Sequence, residues 1–385
     1  MVHNRYRHRG GEDVVFDAEA ELLEERGHRV RRHTVDNAEL PASPTPSQQI
    51  RLAANTLWSR ESARALRRSI HDFRPDLVHI HNTFPQLSPS LYEACADEGV
   101  PVFQTLHNYR FVCPAATLFR DGRPCEDCVG RALPWPGVIH ACYQGSRLRS
   151  AVVAGMLGLA HARAAADHVS AFIALNEFGR RIFVRGGLPD GRIVVKPNFV
   201  DRVAATPTDA RSGFLFVGRL APEKGIDTML RAWRRLPPSI GLRVIGDGPL
   251  KDEVRRAAAG SPNVLFEGPR DRREVLAAMA SARALVFPSE WYEGCPMTVI
   301  ESFASRLPVV ASRLGSLEEM VLDGRTGLLF EPGSADDLAE KVSWTHEHGA
   351  EASTMGDAAR DEYSAQYTPE RSYDRLMAIY RDRVH

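Results

Sequence analysis

The sequence carries no surplus of charge: Lys plus Arg and Asp plus Glu each number 49 in 385 residues, for a formal net charge of zero. Nothing global therefore favours a polyanionic partner, and nucleic acid is not expected. Local basic clusters such as Arg5, Arg7 and Arg9 read as solvated faces. Long hydrophobic runs are lacking too. The longest strongly apolar stretch, Ala151–Ala160, falls well short of the roughly 20 residues that span a bilayer. No segment has the secretory form of a basic start followed by an apolar core, so the expectation is a soluble, cytoplasmic protein. Six cysteines are too few for a disulfide scaffold in a chain of this size.

What is present is alternation. Short β-branched runs, each ending in polar residues, are separated by long amphipathic stretches, the pattern of parallel sheets covered by helices on both faces. In the first half the expected strands are Leu77–Ile80, Val102–Leu106, Phe172–Leu175 and Ile193–Val195, with helices over Val14–Arg26, Ile50–Phe73, Ser88–Glu98 and Ala151–Ala166. A second series has strands at Phe214–Val217, Leu242–Ile245, Val264–Phe266, Ala284–Phe287 and Val309–Ala311, and helices at Ile226–Arg235, Leu250–Ala259, Arg273–Ala280 and Met297–Ser305. The polar stretch Val203–Ser212 between them reads as a linker.

The fold class is thus α/β, with two doubly wound Rossmann-like domains over residues 1–205 and 206–368. A final helix, Pro369–Asp382 within 369–385, either packs on its own domain or crosses back to the first. Ligands of such sheets collect beyond the carboxyl ends of the strands, which for two facing halves means a cleft between them. The first strand looks truncated, because only Met1, Val2 and His3 precede the loop "NRYRHRGGED". An empty slot in a central strand would leave neighbouring backbone unpaired, which favours a natural start upstream of Met1.

Three stretches carry chemistry. In "SEWYEGCPMTVIES" a strand end leads through a loop to a helix starting near Met297. The free N–H groups of such a helix start attract anions, and Pro296 suits the start because it surrenders an amide hydrogen that would go unpaired. Glu301 lies one turn beyond Thr298 on the helix face, and Glu293 lies in the loop before it. One acid is suited to a ribose diol and the other to sugar hydroxyls; a solvated loop acid and a helix-face acid are the plain alternative. In "FVGRLAPEKGID" Gly218 ends a strand, and Arg219 and Lys224 follow in a tight loop closed by Gly225. A planar fork and a point charge leaving one strand end can converge on a diphosphate. In "IGDGPL" Gly246 and Gly248 allow close backbone approach, although Gly-Asp-Gly is also an ordinary turn.

With these stretches in place the chain resembles the family 4 glycosyltransferases, retaining enzymes of the GT-B fold. The E-x7-E motif falls on Glu293 and Glu301, G-R-x3-E-K-G on Gly218, Arg219, Glu223, Lys224 and Gly225, and G-x-G-P on Gly246, Gly248 and Pro249. "GGED" is similar to the family's glycine-rich loop, and "ALNEFGRRIF" and "VVKPNFVD" to its segments before the linker, with Asn176 and Phe199 where Ser and Gly are more usual.

The resemblance implies that Arg219 and Lys224 hold the diphosphate, that Glu301 takes the ribose, and that Glu293 with the backbone of Gly294, Cys295, Pro296 and Met297 takes the donor sugar. It implies that Gly10 and Gly11 face the donor phosphates and that His107, at a strand end in "FQTLHNYR", lies near the reacting carbon. No Asp-x-Asp occurs in the sequence, in keeping with a metal-independent leaving-group strategy. The partners implied are a nucleoside-diphosphate sugar, UDP or GDP, and a hydroxyl acceptor on a polysaccharide, a lipid-linked molecule or a natural product. Intact motifs disfavour a GT-B epimerase and a non-catalytic nucleotide-sugar binder, the two alternatives. Abundant Arg and Ala suggest a GC-rich bacterial genome.

Cys113, Cys125, Cys128 and Cys142 form C-x11-C-x2-C-x13-C. Four thiolates suit a structural Zn²⁺, with buried thiols or disulfides as the alternatives. The run Ser146–Arg163 mixes Arg with small apolar residues; a core helix is the favoured reading, and a peripheral helix at the inner membrane surface the alternative.

Overall fold

The structure, a computed structural model, describes residues 1–7, 9–41, 45–162, 168–201 and 211–383, the side chains of 160–162 excepted. The expected boundary at 205/206, most of the linker and the end of the Ala151–Ala166 helix lie outside the described residues. The chain divides into two compact units: Met1–Leu118, Cys125–Pro197 and Tyr373–His385 form the first, and Phe119–Pro124 with Asn198–Ser372 the second.

The first unit holds a six-stranded parallel sheet of β1 (Val2–Arg5), β2 (His33–Asp36), β3 (Val78–Asn82), β4 (Val102–Leu106), β7 (Ala171–Ala174) and β8 (Ile193–Val195), in the order β2-β1-β3-β4-β7-β8. The intervening β5 (Phe119–Arg120) and β6 (Arg123–Pro124) form a separate hairpin. Every residue of β3, β4 and β7 is buried, as expected of strands covered on both faces.

β1 is not a stub. It runs through Arg5 and pairs Val2, His3, Asn4 and Arg5 with His33, Thr34, Val35 and Asp36, so the polar "NR" that looked like loop is strand. The single helix expected over Ile50–Phe73 is two, Pro46–Leu57 and Arg60–Phe73. Ser59 breaks it: its hydroxyl accepts the Ser62 N–H (3.2 Å), and its own N–H and carbonyl are taken by Ser88 (2.8 Å) and Ser90 (2.8 Å).

The helix Arg147–Ala162 buries Val153, Met156 and Leu157 beside Phe84. The helix Pro369–Arg383 sends Leu376 and Tyr380 into the core with Phe103, Ala171 and Ile173, all of the first unit. Among the described residues no helix is long and apolar enough to cross a membrane.

The second unit repeats the plan. β9 (Phe214–Val217), β10 (Leu242–Ile245), β11 (Val264–Gly268), β12 (Ala284–Phe287), β13 (Val309–Ser312) and β14 (Gly327–Phe330) make a parallel sheet in the order β11-β10-β9-β12-β13-β14. The chain winds outward from β9 to β11, then restarts at β12 on the other side of β9. The point where the order reverses, between β9 and β12, is where loops diverge and a ligand crevice opens in such sheets.

Candidate active site

The reversal point brings two of the three sequence stretches together. Lys224 comes from the loop after β9 and Glu293 from the loop after β12, and Lys224 Nζ lies 2.6 Å from Glu293 Oε1. The Ser289 hydroxyl donates to the same carboxylate oxygen, and the Ser316 hydroxyl donates to the Glu293 carbonyl (2.8 Å). The Lys224 ammonium also stands 5.0 Å from the centre of the Trp291 ring. Glu293 is buried, so its charge requires such partners.

Gly225 makes the apposition possible. It sits at φ +67°, and a Cβ there would lie 1.8 Å from the Pro288 carbonyl oxygen. The loops are further joined by the Glu290 N–H, which donates to the Glu223 carbonyl (2.9 Å).

Arg219 is exposed at the start of the first loop. The third stretch, Gly246-Asp247-Gly248, packs against that same loop: Leu220 N–H donates to the Asp247 carbonyl, and Leu250 N–H to the Leu220 carbonyl, both at 2.9 Å. A Cβ on Gly246 would meet the Gly218 oxygen at 1.9 Å, and one on Gly248 the Leu220 oxygen at 2.4 Å. The close approach these glycines serve here is therefore between two backbone loops, which holds Arg219 and Lys224 in place.

The helix Met297–Ala304 begins at Pro296, which occupies the capping position and not the first helical one. No side chain caps it; the Val299 N–H donates to the Pro296 carbonyl (3.1 Å), which leaves the amides of Met297 and Thr298 as the first-turn donors open to a ligand. Cys295 and the buried Asn198 lock the approach, the amide of Asn198 donating to the Cys295 carbonyl (3.1 Å). Gly294, Met297 and Thr298 are half-buried beside it. Glu301 lies 3.5 Å from Arg272, and burial raises its carboxyl above the usual range against the pull of that guanidinium.

In the first unit Gly10 precedes the helix Gly11–Glu25. The positive end of this helix already holds acids. Asp13 accepts from the Gly10 N–H (2.8 Å) and lies 2.8 Å from His3 Nε2, while Glu12 accepts from Asn108 (2.7 Å) and Tyr6 (2.9 Å). Asn108 follows His107, so the loop after β4 is tied to this helix start. His107 Nε2 lies 2.8 Å from His81 Nδ1.

Sequence reasoning missed Ser289, only four residues before its partner Glu293, and it missed Ser316 and Asn198, whose contacts join residues 23 and 97 apart in the chain. It also missed His79, His81 and Glu19, although "VHIHN" did hold a signal: two histidines two apart in a strand share one face. Asn176, which departs from the family's usual Ser, caps the helix Glu177–Arg185 by accepting the Gly179 N–H.

Among the described residues one group brings its ligand atoms close enough together to share a metal ion, and the four cysteines are not part of it. The ligand atoms of Glu19, His79 and His81 lie within 4.8 Å of one another. Around Cys128, burial first and then the Cys113, Cys142 and Cys125 thiols push its pKa up to about 12, while the Gly137 N–H to its sulfur opposes this. Gly137 also accepts the Cys142 N–H (2.9 Å) and abuts Pro114, so one turn touches three segments of the cysteine set.

Comparison with known proteins agrees with this architecture. The family model described as Glycosyltransferase Family 4 matches residues 9–203, and that described as Glycosyl transferases group 1 matches residues 211–348. Among curated proteins, the sulfoquinovosyl transferase SQD2 of Arabidopsis thaliana is 34% identical over 151 residues, which are 38% of this chain and 29% of that protein. The chain spans less than half the length of the first curated relatives it matches, at 29%, 47% and 43%. Among solved structures, Anabaena Alr3699/HepE in complex with UDP superposes with a TM-score of 0.69 at 18% identity, covering 99% of both chains. The sucrose-phosphate synthase of Thermosynechococcus elongatus gives 0.70 at 18% identity, covering 99% of this chain and 98% of its own. These likenesses establish the GT-B fold, and the chain belongs to glycosyltransferase family 4.

Proposed function

We propose that the chain transfers a sugar, with retention and without a catalytic metal, from a nucleoside-diphosphate sugar to a hydroxyl acceptor. The observation that carries this reading is the meeting of Lys224 and Glu293 at the reversal point of the second sheet, beside exposed Arg219 and an uncapped helix start. UDP is the first donor nucleotide to test, because a protein of the same fold was solved with it; GDP is the second.

Charge sets the mechanism. Cleavage of the bond between the anomeric carbon and phosphate leaves an oxocarbenium-like sugar and a diphosphate with new negative charge. Arg219, Lys224 and the amides of Met297 and Thr298 meet that charge as it grows, so they favour the transition state over the bound donor. Before donor binds, Lys224 is neutralised by Glu293. An arriving diphosphate takes over the ammonium and leaves the Glu293 carboxylate to accept hydroxyls of the donor sugar with the backbone at Gly294–Met297. Glu301 receives the ribose, the loops at Gly218, Gly246 and Gly248 flank the nucleotide, and Gly10 and Gly11 approach the phosphates. His107 contacts the sugar. The acceptor is a polysaccharide, a lipid-linked molecule or a natural product. A thermal-shift screen against UDP, GDP, ADP and TDP, followed by hydrolysis of the matching nucleotide sugars, tests the reading; stabilisation by none of them contradicts it.

Cys113, Cys125, Cys128 and Cys142 hold a structural zinc ion in this reading. Burial and the neighbouring thiols oppose ionisation of Cys128, and a divalent cation reverses both effects. Protein purified without a metal-affinity step then contains one zinc per chain by elemental analysis; substoichiometric zinc removes the idea.

A further inference from the structure

Beneath His107 lies a polar network that the proposed chemistry does not use. Glu19 sits on the helix Gly11–Glu25, and both its carboxylate oxygens are engaged inside the first unit. Oε2 accepts from the ammonium of Lys196 (2.8 Å), a buried side chain just past β8. Oε1 lies 3.1 Å from His79 Nδ1 and 3.3 Å from His81 Nε2. His81 Nε2 and Glu19 Oε1 are both buried, and among the described residues neither makes a hydrogen bond of normal geometry, so their 3.3 Å approach is a charge contact. His79 is otherwise satisfied, by the Tyr380 hydroxyl at 2.7 Å and Thr105 Oγ1 at 2.8 Å. The other nitrogen of His81, Nδ1, meets His107 Nε2 at 2.8 Å.

The three ligand-type side chains around Glu19 invite a metal. Lys196 argues against one, because its ammonium already supplies the positive charge at this carboxylate and would repel a second cation. An ionised carboxylate, moreover, can only accept hydrogen bonds. Burial alone would raise the Glu19 carboxyl, yet Lys196 and His79 hold it well below the usual range. Burial and the adjacent His79 push His81 down to about 3, and burial with His81 lowers His107 well below the ordinary imidazole value, so both rings are neutral. A neutral imidazole has one N–H and one lone pair. A carboxylate charge 3.3 Å away favours an N–H over a lone pair at His81 Nε2, so His81 turns its lone pair (Nδ1) toward His107, and His107 must carry its proton on Nε2.

We propose that Glu19 and His81, with Lys196 anchoring Glu19, are positioning residues that fix His107 as the Nε2-protonated tautomer, leaving Nδ1 as the hydrogen-bond acceptor it offers to a sugar hydroxyl. The catalytic consequence rests on the placement of His107 at the donor sugar; the tautomer does not. Setting a tautomer through a buried carboxylate is a large lever, since the wrong one removes the acceptor from the site altogether.

The direct test is the tautomer itself, read from long-range proton–nitrogen correlations on wild-type protein labelled with ¹⁵N-histidine, His107 being assigned by its loss in His107→Gln. The expected result is a neutral ring with Nδ1 unprotonated at neutral pH; an Nδ1-protonated, averaged or cationic ring overturns the proposal and needs no variant that might misfold. Two substitutions extend it. His81→Asn retains a carbonyl oxygen able to accept from His107, whereas His81→Leu does not. His81→Asn should keep the His107 tautomer and kcat within a few-fold, and His81→Leu should lose roughly 10²-fold in kcat with donor KM little changed. Equal losses in both, tracking their melting temperatures, mean a merely structural role and overturn the proposal. Should the tautomer be found while no nucleotide sugar is turned over, the glycosyl-transfer reading fails and this one stands.

Discussion

Gly225→Ala tests whether the apposition of the two loops makes the site. Gly225 has φ +67° and ψ +29°, and its missing Cβ would fall 1.8 Å from the Pro288 oxygen. An unstrained carbon–oxygen contact needs about 3.3 Å, so one loop must retreat by roughly 1.5 Å. The left-handed conformation adds roughly 1–2 kcal/mol for a residue with a Cβ. The retreat also breaks the bond from the Glu290 N–H to the Glu223 carbonyl, worth about 1 kcal/mol.

The total is a stability loss of roughly 2–3 kcal/mol from these two terms. More telling is the effect on geometry. The 2.6 Å contact of Lys224 with Glu293 spans the same gap, and a shift near 1 Å in a positioned group costs about 10²-fold in rate. The assay pairs urea denaturation with turnover of whichever nucleotide sugar the thermal-shift screen selects. Gly324→Ala is the control: its φ is +73° with nothing within 4 Å, so it meets the conformational cost alone and should leave turnover unchanged. Parental turnover in folded Gly225→Ala would refute the argument that loop apposition builds the site.

Other perturbations follow from single contacts. Glu293→Gln strands a Lys224 ammonium whose side chain is only 19% exposed, so the variant should lose roughly 2–3 kcal/mol by denaturation, somewhat below the cost of breaking a fully buried pair, and roughly 10²-fold or more in turnover. Ser59→Ala removes the cap that starts the helix Arg60–Phe73 and should cost about 1 kcal/mol with activity intact, again by denaturation. Glu12 has its carboxyl raised by burial, against hydrogen bonds from Asn108 and Tyr6. The folded state thus holds that proton more tightly than the unfolded one, so this contribution to stability weakens as pH rises from the ordinary carboxylate value through the raised one. Glu12→Gln should remove that part of the pH dependence of the melting temperature; an unchanged profile contradicts the assignment. Chelation of zinc at the four cysteines should lower the melting temperature of the whole protein, and a curve identical with and without chelator contradicts the zinc reading.

Much of the fold was legible because buried parallel strands leave an unambiguous mark. Val102–Leu106, Ile193–Val195, Phe214–Val217, Leu242–Ile245 and Ala284–Phe287 begin and end where their apolar runs do. β2 escaped because His33–Asp36 is half-exposed edge strand with little apolar content, and the end of β1 because Asn4 and Arg5 are polar residues satisfied by tertiary partners, Asn37 and Asp17 among them. The break at Ser59 was hidden for the same reason: its decisive partners, Ser88 and Ser90, lie some thirty residues away. In the candidate site, strand-end motifs revealed Arg219, Lys224 and Glu293 as residues, but not that Lys224 and Glu293 pair with each other. The His81 link to His107 joins strands 26 residues apart, and Glu19 and Lys196 meet across 177. No local period encodes such contacts; only the strand order does.

The most direct measurement is calorimetric affinity for the nucleoside diphosphate identified in the screen, compared between the wild-type protein and Arg219→Ala/Lys224→Ala, with the free nucleoside as control. Each lost charge-assisted hydrogen bond is worth roughly 1.5–3 kcal/mol, so diphosphate affinity should fall by about 10²–10⁴-fold while nucleoside affinity holds. Undiminished diphosphate binding by the folded double variant would contradict the central claim.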